Sequence, residues 1–228
     1  MNLIRTLLDF LLPRYCKVCG KRLSVGEEHI CIACFISLPY YNSYNKEIND
    51  IEELLMSNRR FVCATSLLSY DKESNYRRLL YHLKYYNHPD VGRYLADIAA
   101  KRLQERGFFD GIDIIVQMPI SRSKMKIRGY NQSWYIAKGI SEYTGVPIAD
   151  NLISCRDNLQ QAGKGKLERW GNAEGRFTLS GSAQLIGKHI LLVDDVITTG
   201  STMNALISAI ELSVEDVVIS VFTLAVAK

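Results

Sequence analysis

No apolar stretch in this sequence approaches the roughly 18 residues that a membrane-spanning helix needs. Arg5, Asp9 and Arg14 interrupt the N-terminal region that comes nearest. The small residues of a lipoprotein cleavage site are also missing ahead of Cys16, where Pro13, Arg14 and Tyr15 stand. The expectation is therefore a chain with no membrane span and no secretory leader, resident in the cytoplasm. A large excess of one charge is missing too: 28 Lys and Arg against 24 Asp and Glu leave +4. The molecule as a whole is no polyelectrolyte, and any anion site must come from local clustering. Neither G-x-x-x-x-G-K-[ST] nor G-x-G-x-x-G after a strand occurs, which removes the usual loops for nucleoside triphosphates and dinucleotides. What remains is an ordinary globular composition, 228 residues with 47% hydrophobic and 23% charged side chains. That is enough for one full core and a small appendage.

Four of the six cysteines form two pairs, Cys16-x-x-Cys19 and Cys31-x-x-Cys34, separated by eleven residues. Two such knuckles supply the four soft donors that a tetrahedral zinc ion requires, and Gly20 suits the first turn. With no open position suggested nearby, a structural zinc is expected, adding folding energy that so short a segment cannot draw from a core. Reduced cysteines or a redox pair are the alternative. His29 lies between the pairs as a bystander, and Cys63 and Cys155 read as unliganded thiols. Ile4, Leu7, Leu8, Leu11 and Leu12 form an apolar helical stripe ended by Pro13, which either packs on the body or docks to a surface. From Tyr40 to Asn49 periodicity is lost, and the boundary is drawn there: a helix and cysteine module over 1–45, the main domain over 46–228.

The main domain alternates. Residues 61–70, 112–118, 190–193 and 217–225 are runs of Val, Ile, Leu and Phe, as in strands buried on both faces of a parallel sheet. Between them Tyr76, Leu79, Leu80 and Leu83 share a helical face, as do Leu95, Ile98 and Ala99. Ser133, Ile136, Ala137 and Ile140 share another, and so do Met203, Leu206, Ile207 and Ile210. An α/β doubly wound sheet is expected, with ligands at the carboxyl ends of its strands.

At one such end, Ile190-Leu191-Leu192-Val193 leads into Asp194-Asp195, then Val196-Ile197-Thr198-Thr199-Gly200-Ser201-Thr202 and a helix. Two carboxylates can accept hydrogen bonds from vicinal hydroxyls, while the small hydroxylated turn and the free amides of the helix attract a phosphate. A phosphorylated sugar satisfies both halves. At another strand end, no acid occurs between Asp113 and Glu142, yet Arg122, Lys124, Lys126, Arg128 and Lys138 do. As an extended loop, Arg122 to Arg128 would carry its four cations on one side, a local anion trap.

Ile190 to Thr202 resembles the signature of the type I phosphoribosyltransferases. Read with the N-terminal cysteines, the chain is similar to the competence protein F family of phosphoribosyltransferase-like proteins. Met118-Pro119-Ile120-Ser121-Arg122, Arg128-Gly129-Tyr130-Asn131-Gln132 and the later Arg156, Gln161, Arg169, Asn172 and Phe177 carry that likeness. The resemblance implies a type I phosphoribosyltransferase-like parallel sheet flanked by helices, with a small zinc-ribbon-like module. It also implies phosphoribosyl pyrophosphate bound with magnesium. Asp194 and Asp195 would hold the ribose, Thr198 to Thr202 the 5-phosphate, and Arg122 and Arg128, with Pro119 and Ser121, the pyrophosphate. Lys84, Arg156 and Arg169 join the implied substrate contacts. The polar stretch from Arg156 to Arg176 is either a cover over the site or a loop with no closing role.

Two functions stay open. One is a magnesium-dependent transferase whose acceptor and general base are not named, since none of the four histidines lies in either loop. The other is a binding protein that uses the site for a nucleotide signal and engages single-stranded DNA or a DNA-uptake helicase, as the family name implies. Arg77, Tyr81 and Lys84 on one helical face suit stacking and phosphate contact, or cover a core edge.

Overall fold

The computed structural model describes residues 12–42, 47–71, 73–149, 152–156 and 176–227. The expected helical stripe from Ile4, the boundary at 45/46 and Arg169 lie outside the described residues.

The strands are β1 (Phe61–Tyr70), β2 (Ile114–Gln117), β3 (Ile153–Cys155), β4 (Phe177–Leu179), β5 (His189–Ile197) and β6 (Val218–Ala227). The helices are α1 (Ile32–Ile36), α2 (Asp50–Leu55), α3 (Arg77–Tyr85), α4 (Asp90–Gln104), α5 (Arg122–Arg128), α6 (Gln132–Thr144) and α7 (Ser201–Ser213). Four strands form one parallel sheet in the order β1-β6-β5-β2. Strand alternation sends Leu191, Val193, Phe222 and Leu224 to one face and Ile190, Leu192, Ile219 and Val221 to the other. On the first face α3, α4 and α6 pack; on the second lie α2 and α7. Both faces are covered, so the expected doubly wound α/β sheet is what forms.

α4 and α6 approach closely because Gly139 has no side chain. A Cβ there would stand 2.5 Å from the Arg93 carbonyl oxygen and 2.8 Å from the Ala96 Cβ. β3 and β4 pair antiparallel as a separate ribbon, an element that the apolar runs do not announce.

The cysteine module is joined to this body. Cys16, Val18, Leu23, Ile30, Cys31 and Leu38 belong to the same buried cluster as Leu79, Leu83, Leu95 and Ile136. The chain then runs along the free edge of β1, with the Ser69 amide donating to the Pro39 carbonyl at 2.8 Å and the Tyr41 amide to Leu67 at 2.9 Å.

Candidate functional site

β2 and β5 are neighbours in the sheet, yet the sheet-packing helix that follows β2 beyond α5, α6, lies on one face and the helix after β5, α7, on the other. The two connections leave to opposite faces there, and the sheet opens a crevice of the kind that binds ligands in doubly wound folds. A cleft of about 440 Å³ occupies it, lined by Lys84, Met118, Pro119, Ser121, Lys124, Arg128, Ser133, Arg156, Arg176, Asp194, Asp195 and Thr202, among others.

β5 does not end at Val193. It continues to Ile197 because β6 is long enough to pair with it, Asp194 opposite Thr223 and Val196 opposite Ala225. Both carboxylates are thus held on a strand and not on a loop. Asp194 Oδ1 accepts from Ser133 Oγ at 3.0 Å and from the Asp195 amide at 2.8 Å. Burial first, and then the Asp195 charge, push the Asp194 carboxyl from 3.8 up to about 7, against the pull of those hydrogen bonds and of Lys84. Asp195 is buried, and its Oδ1 pairs with Lys84 Nζ at 3.0 Å. The Thr198–Thr202 turn follows as a small depression lined also by Asp194 and Met203. Gly200 caps α7 at φ +71, a left-handed value that favours glycine. Thr199 Oγ1 and Ser201 Oγ lie 2.8 Å apart, and the 13-residue helix behind them directs its free amides outward.

The basic side differs from expectation. Arg122 to Arg128 is not an extended loop but the helix α5, started at Ser121 and stopped by Gly129 at φ +79. At about 100° per residue, Arg122 and Lys126 share one side and Lys124 and Arg128 another. Lys124 and Arg128 line the cleft, while Arg122 and Lys126 do not. Arg128 Nη1 donates to Gln132 Oε1 at 2.7 Å and its guanidinium lies 5.5 Å from the centroid of the Tyr85 ring. Asn131 Nδ2 donates to the Met118 carbonyl at 3.0 Å, tying the loop after β2 to the start of α6.

Sequence reasoning reads Ser133 only as part of a helix face and Arg176 only as the end of a polar stretch. In the structure Ser133 holds Asp194, and Arg176 enters the cleft on the β3–β4 ribbon, its Nη1 3.5 Å from Thr202 Oγ1 and its buried Nε unpartnered. The Lys84–Asp195 pair also has no local signal, since the two residues are far apart in the chain.

A second centre is made by the cysteines. The ligand atoms of Cys16, Cys19, Cys31 and Cys34 all lie within 4.8 Å of one another, with Cys19 Sγ and Cys31 Sγ 3.7 Å apart. Four sulfurs at about 2.3 Å from a tetrahedral ion would be roughly 3.8 Å apart, so the quartet could hold a metal and suits zinc. Burial opposes ionisation of Cys16, yet hydrogen bonds from the amides of Cys19, Cys31 and Val18 bring its thiol down to about 7. His29 is not part of the quartet and packs edge-on against Tyr94 at 5.2 Å. Cys63 lies 3.2 Å from Ser220 Oγ, and Cys155 lines the cleft. Among the described residues no helix is long and apolar enough to cross a membrane.

Residues 130–225 match the family model of the phosphoribosyl transferase domain, which gives the class of the sheet and its acidic strand end. The chain is 27% identical over 206 residues to competence protein F of Haemophilus influenzae, covering 89% of this chain and 81% of that protein. It is 36% identical over 89 residues to competence protein ComFC of Streptococcus pneumoniae, covering 39% of this chain and 37% of that protein. By the domain match and these two relatives the chain is similar to the competence protein F family, on a phosphoribosyltransferase-like fold.

Proposed function

We propose that the cleft binds phosphoribosyl pyrophosphate and that the protein transfers its phosphoribosyl group to an acceptor. The observation that carries this reading is the pairing, across one cleft, of a diacidic strand end and hydroxylated turn with Lys84, Lys124, Arg128, Arg156 and Arg176. Asp194 and Asp195 accept hydrogen bonds from the ribose diol. Thr198 to Thr202 and the start of α7 take the 5-phosphate. Arg128 and Lys124 face the pyrophosphate, and charge-assisted hydrogen bonds there stabilise its negative charge as the bond to the anomeric carbon breaks.

Asp195, paired with Lys84, and Asp194, raised towards neutrality, form no ready-made cation cage. Magnesium would therefore be held largely by the ligand's own phosphates, and would supply neutralisation of the leaving group. The quartet of cysteines is assigned to a structural zinc. Titration of phosphoribosyl pyrophosphate with and without magnesium, in the wild type and in Asp194→Asn/Asp195→Asn, tests the reading.

A second reading has its own observation. Arg77 lies 5.9 Å from the Tyr81 ring centroid, Tyr81 5.8 Å from Tyr85, and Arg128 5.5 Å from Tyr85. This cation–aromatic row, exposed at Arg77, Tyr81 and Tyr85, suits single-stranded DNA, and the names of the two relatives concern competence. On this reading the protein is an accessory factor in DNA uptake that binds the strand or a helicase. Single-stranded DNA binding that survives loss of the acidic pair, with a steep salt dependence, would favour it.

A further inference from the structure

α3 stands between the two centres of the molecule. Its N-terminal end is fastened to both halves of the cysteine module. Arg78 Nη1 donates to the Val18 carbonyl, inside the first knuckle, at 3.1 Å. Tyr76 Oη donates to the Cys34 carbonyl, at the second, also at 3.1 Å. Just past the other end of the helix, His88 Nε2 lies 3.2 Å from Lys17 Nζ. The buried side of α3, Leu79, Leu80 and Leu83, shares one apolar cluster with Cys16, Val18, Ile30 and Cys31. Part of the surface on which the helix rests is therefore made of the module itself. In its last turn the same helix carries Lys84, whose ammonium meets Asp195. Tyr130 Oη donates to the Leu83 carbonyl at 2.6 Å, which ties that last turn to the Arg-Gly-Tyr-Asn-Gln segment.

A helix of 9 residues held this way moves as a rod, since its internal hydrogen bonds resist bending. Tyr130 fixes one end, and the module then sets the tilt. We infer that α3 is a strut through which the metal module positions Lys84 over Asp195, with Tyr76 and Arg78 as positioning residues for that ion pair. The consequence for ligand binding rests on the reading of the acidic pair given above; the strut itself does not. The four cysteines then serve the cleft as well as local folding: loss of the metal loosens the carbonyls of Val18 and Cys34, and with them the register of Lys84.

The test uses the full, metal-loaded chain. Carboxyl ¹³C NMR follows the titration of Asp194, which Lys84 faces together with Asp195 and Ser133. Lys84→Met removes a cation and raises the Asp194 midpoint. The strut predicts that Arg78→Ala raises it in the same direction with metal content unchanged. It further predicts that Arg78→Lys, which keeps a donor, restores it, and that Arg78→Ala adds nothing in the Lys84→Met background. Tyr76→Phe is the milder companion, expected to act the same way should Arg78→Ala fold poorly. A wild-type midpoint in Tyr76→Phe and Arg78→Ala, or a full additional shift on top of Lys84→Met, overturns the inference.

In a second arm, inorganic pyrophosphate is titrated into the same proteins, and Arg78→Ala is expected to weaken it about 2- to 30-fold. If the wild type binds no pyrophosphate, the proposed function fails, while the NMR arm still decides the strut.

Discussion

Asp194 and Asp195 are adjacent in the chain and differ in state. One is a carboxyl held by Ser133 whose ionisation burial pushes up to about 7, the other an ion-paired carboxylate under Lys84. Because the folded protein raises Asp194 from 3.8 to about 7, it holds a proton that the unfolded chain releases between those values. The associated stability is fully present below the lower value and lost as pH rises through the upper one. Asp194→Asn, whose amide oxygen can still accept from Ser133, should gain on the order of 1–3 kcal/mol over the wild type between acid and slightly alkaline pH. Thermal melts across that range check this, and melting curves that stay parallel with pH would contradict it. Arg128→Ala should weaken pyrophosphate-bearing ligands by about 1.5–3 kcal/mol while affecting ribose 5-phosphate far less. Equal losses in calorimetry would reject Arg128 as a pyrophosphate contact. At this scale the sequence names most of the chemistry, because Asp-Asp before a hydroxylated turn is a local pattern. Pairing partners such as Lys84 and Ser133 are set by tertiary packing and leave no local trace.

Elements were legible where burial imposes a period. The runs at 61–70 and 217–225 correspond to β1 and β6, and the apolar faces at Leu79, Leu95, Ile136 and Leu206 to α3, α4, α6 and α7. The 190–193 run stopped short of the end of β5 because two carboxylates look like a strand end, whereas pairing with β6 carries the strand through them. α5 was hidden for the opposite reason: none of its residues is buried, so no apolar period exists to be read. Its signals were the Ser121 start and the Gly129 stop. β3 and β4 are 3 residues each and separated by a long polar stretch, too short for alternation to register. The contact between α4 and α6 offers a sharp test. Gly139→Ala would drive a methyl into the Arg93 carbonyl, and a loss of about 1–3 kcal/mol in chemical denaturation is expected. An unchanged midpoint would show that the two helices can move apart freely.

For the whole molecule, the cysteine module and the sheet domain share a hydrophobic cluster and a backbone pairing along β1. A separately folding appendage, the natural reading of paired cysteines ahead of an aperiodic stretch, is not what that packing supports. Chelation, or Cys19→Ser, should therefore lower the midpoint of one shared transition and remove one metal ion per chain. Two separated transitions by calorimetry would contradict the shared core. The central claim concerns the cleft, and isothermal titration of phosphoribosyl pyrophosphate tests it most directly. Saturable, magnesium-dependent binding to the wild type, abolished in Asp194→Asn/Asp195→Asn with fold and metal content intact, is the predicted result. No heat of binding in a folded, metal-loaded wild type, or binding that survives in the double variant, would contradict it.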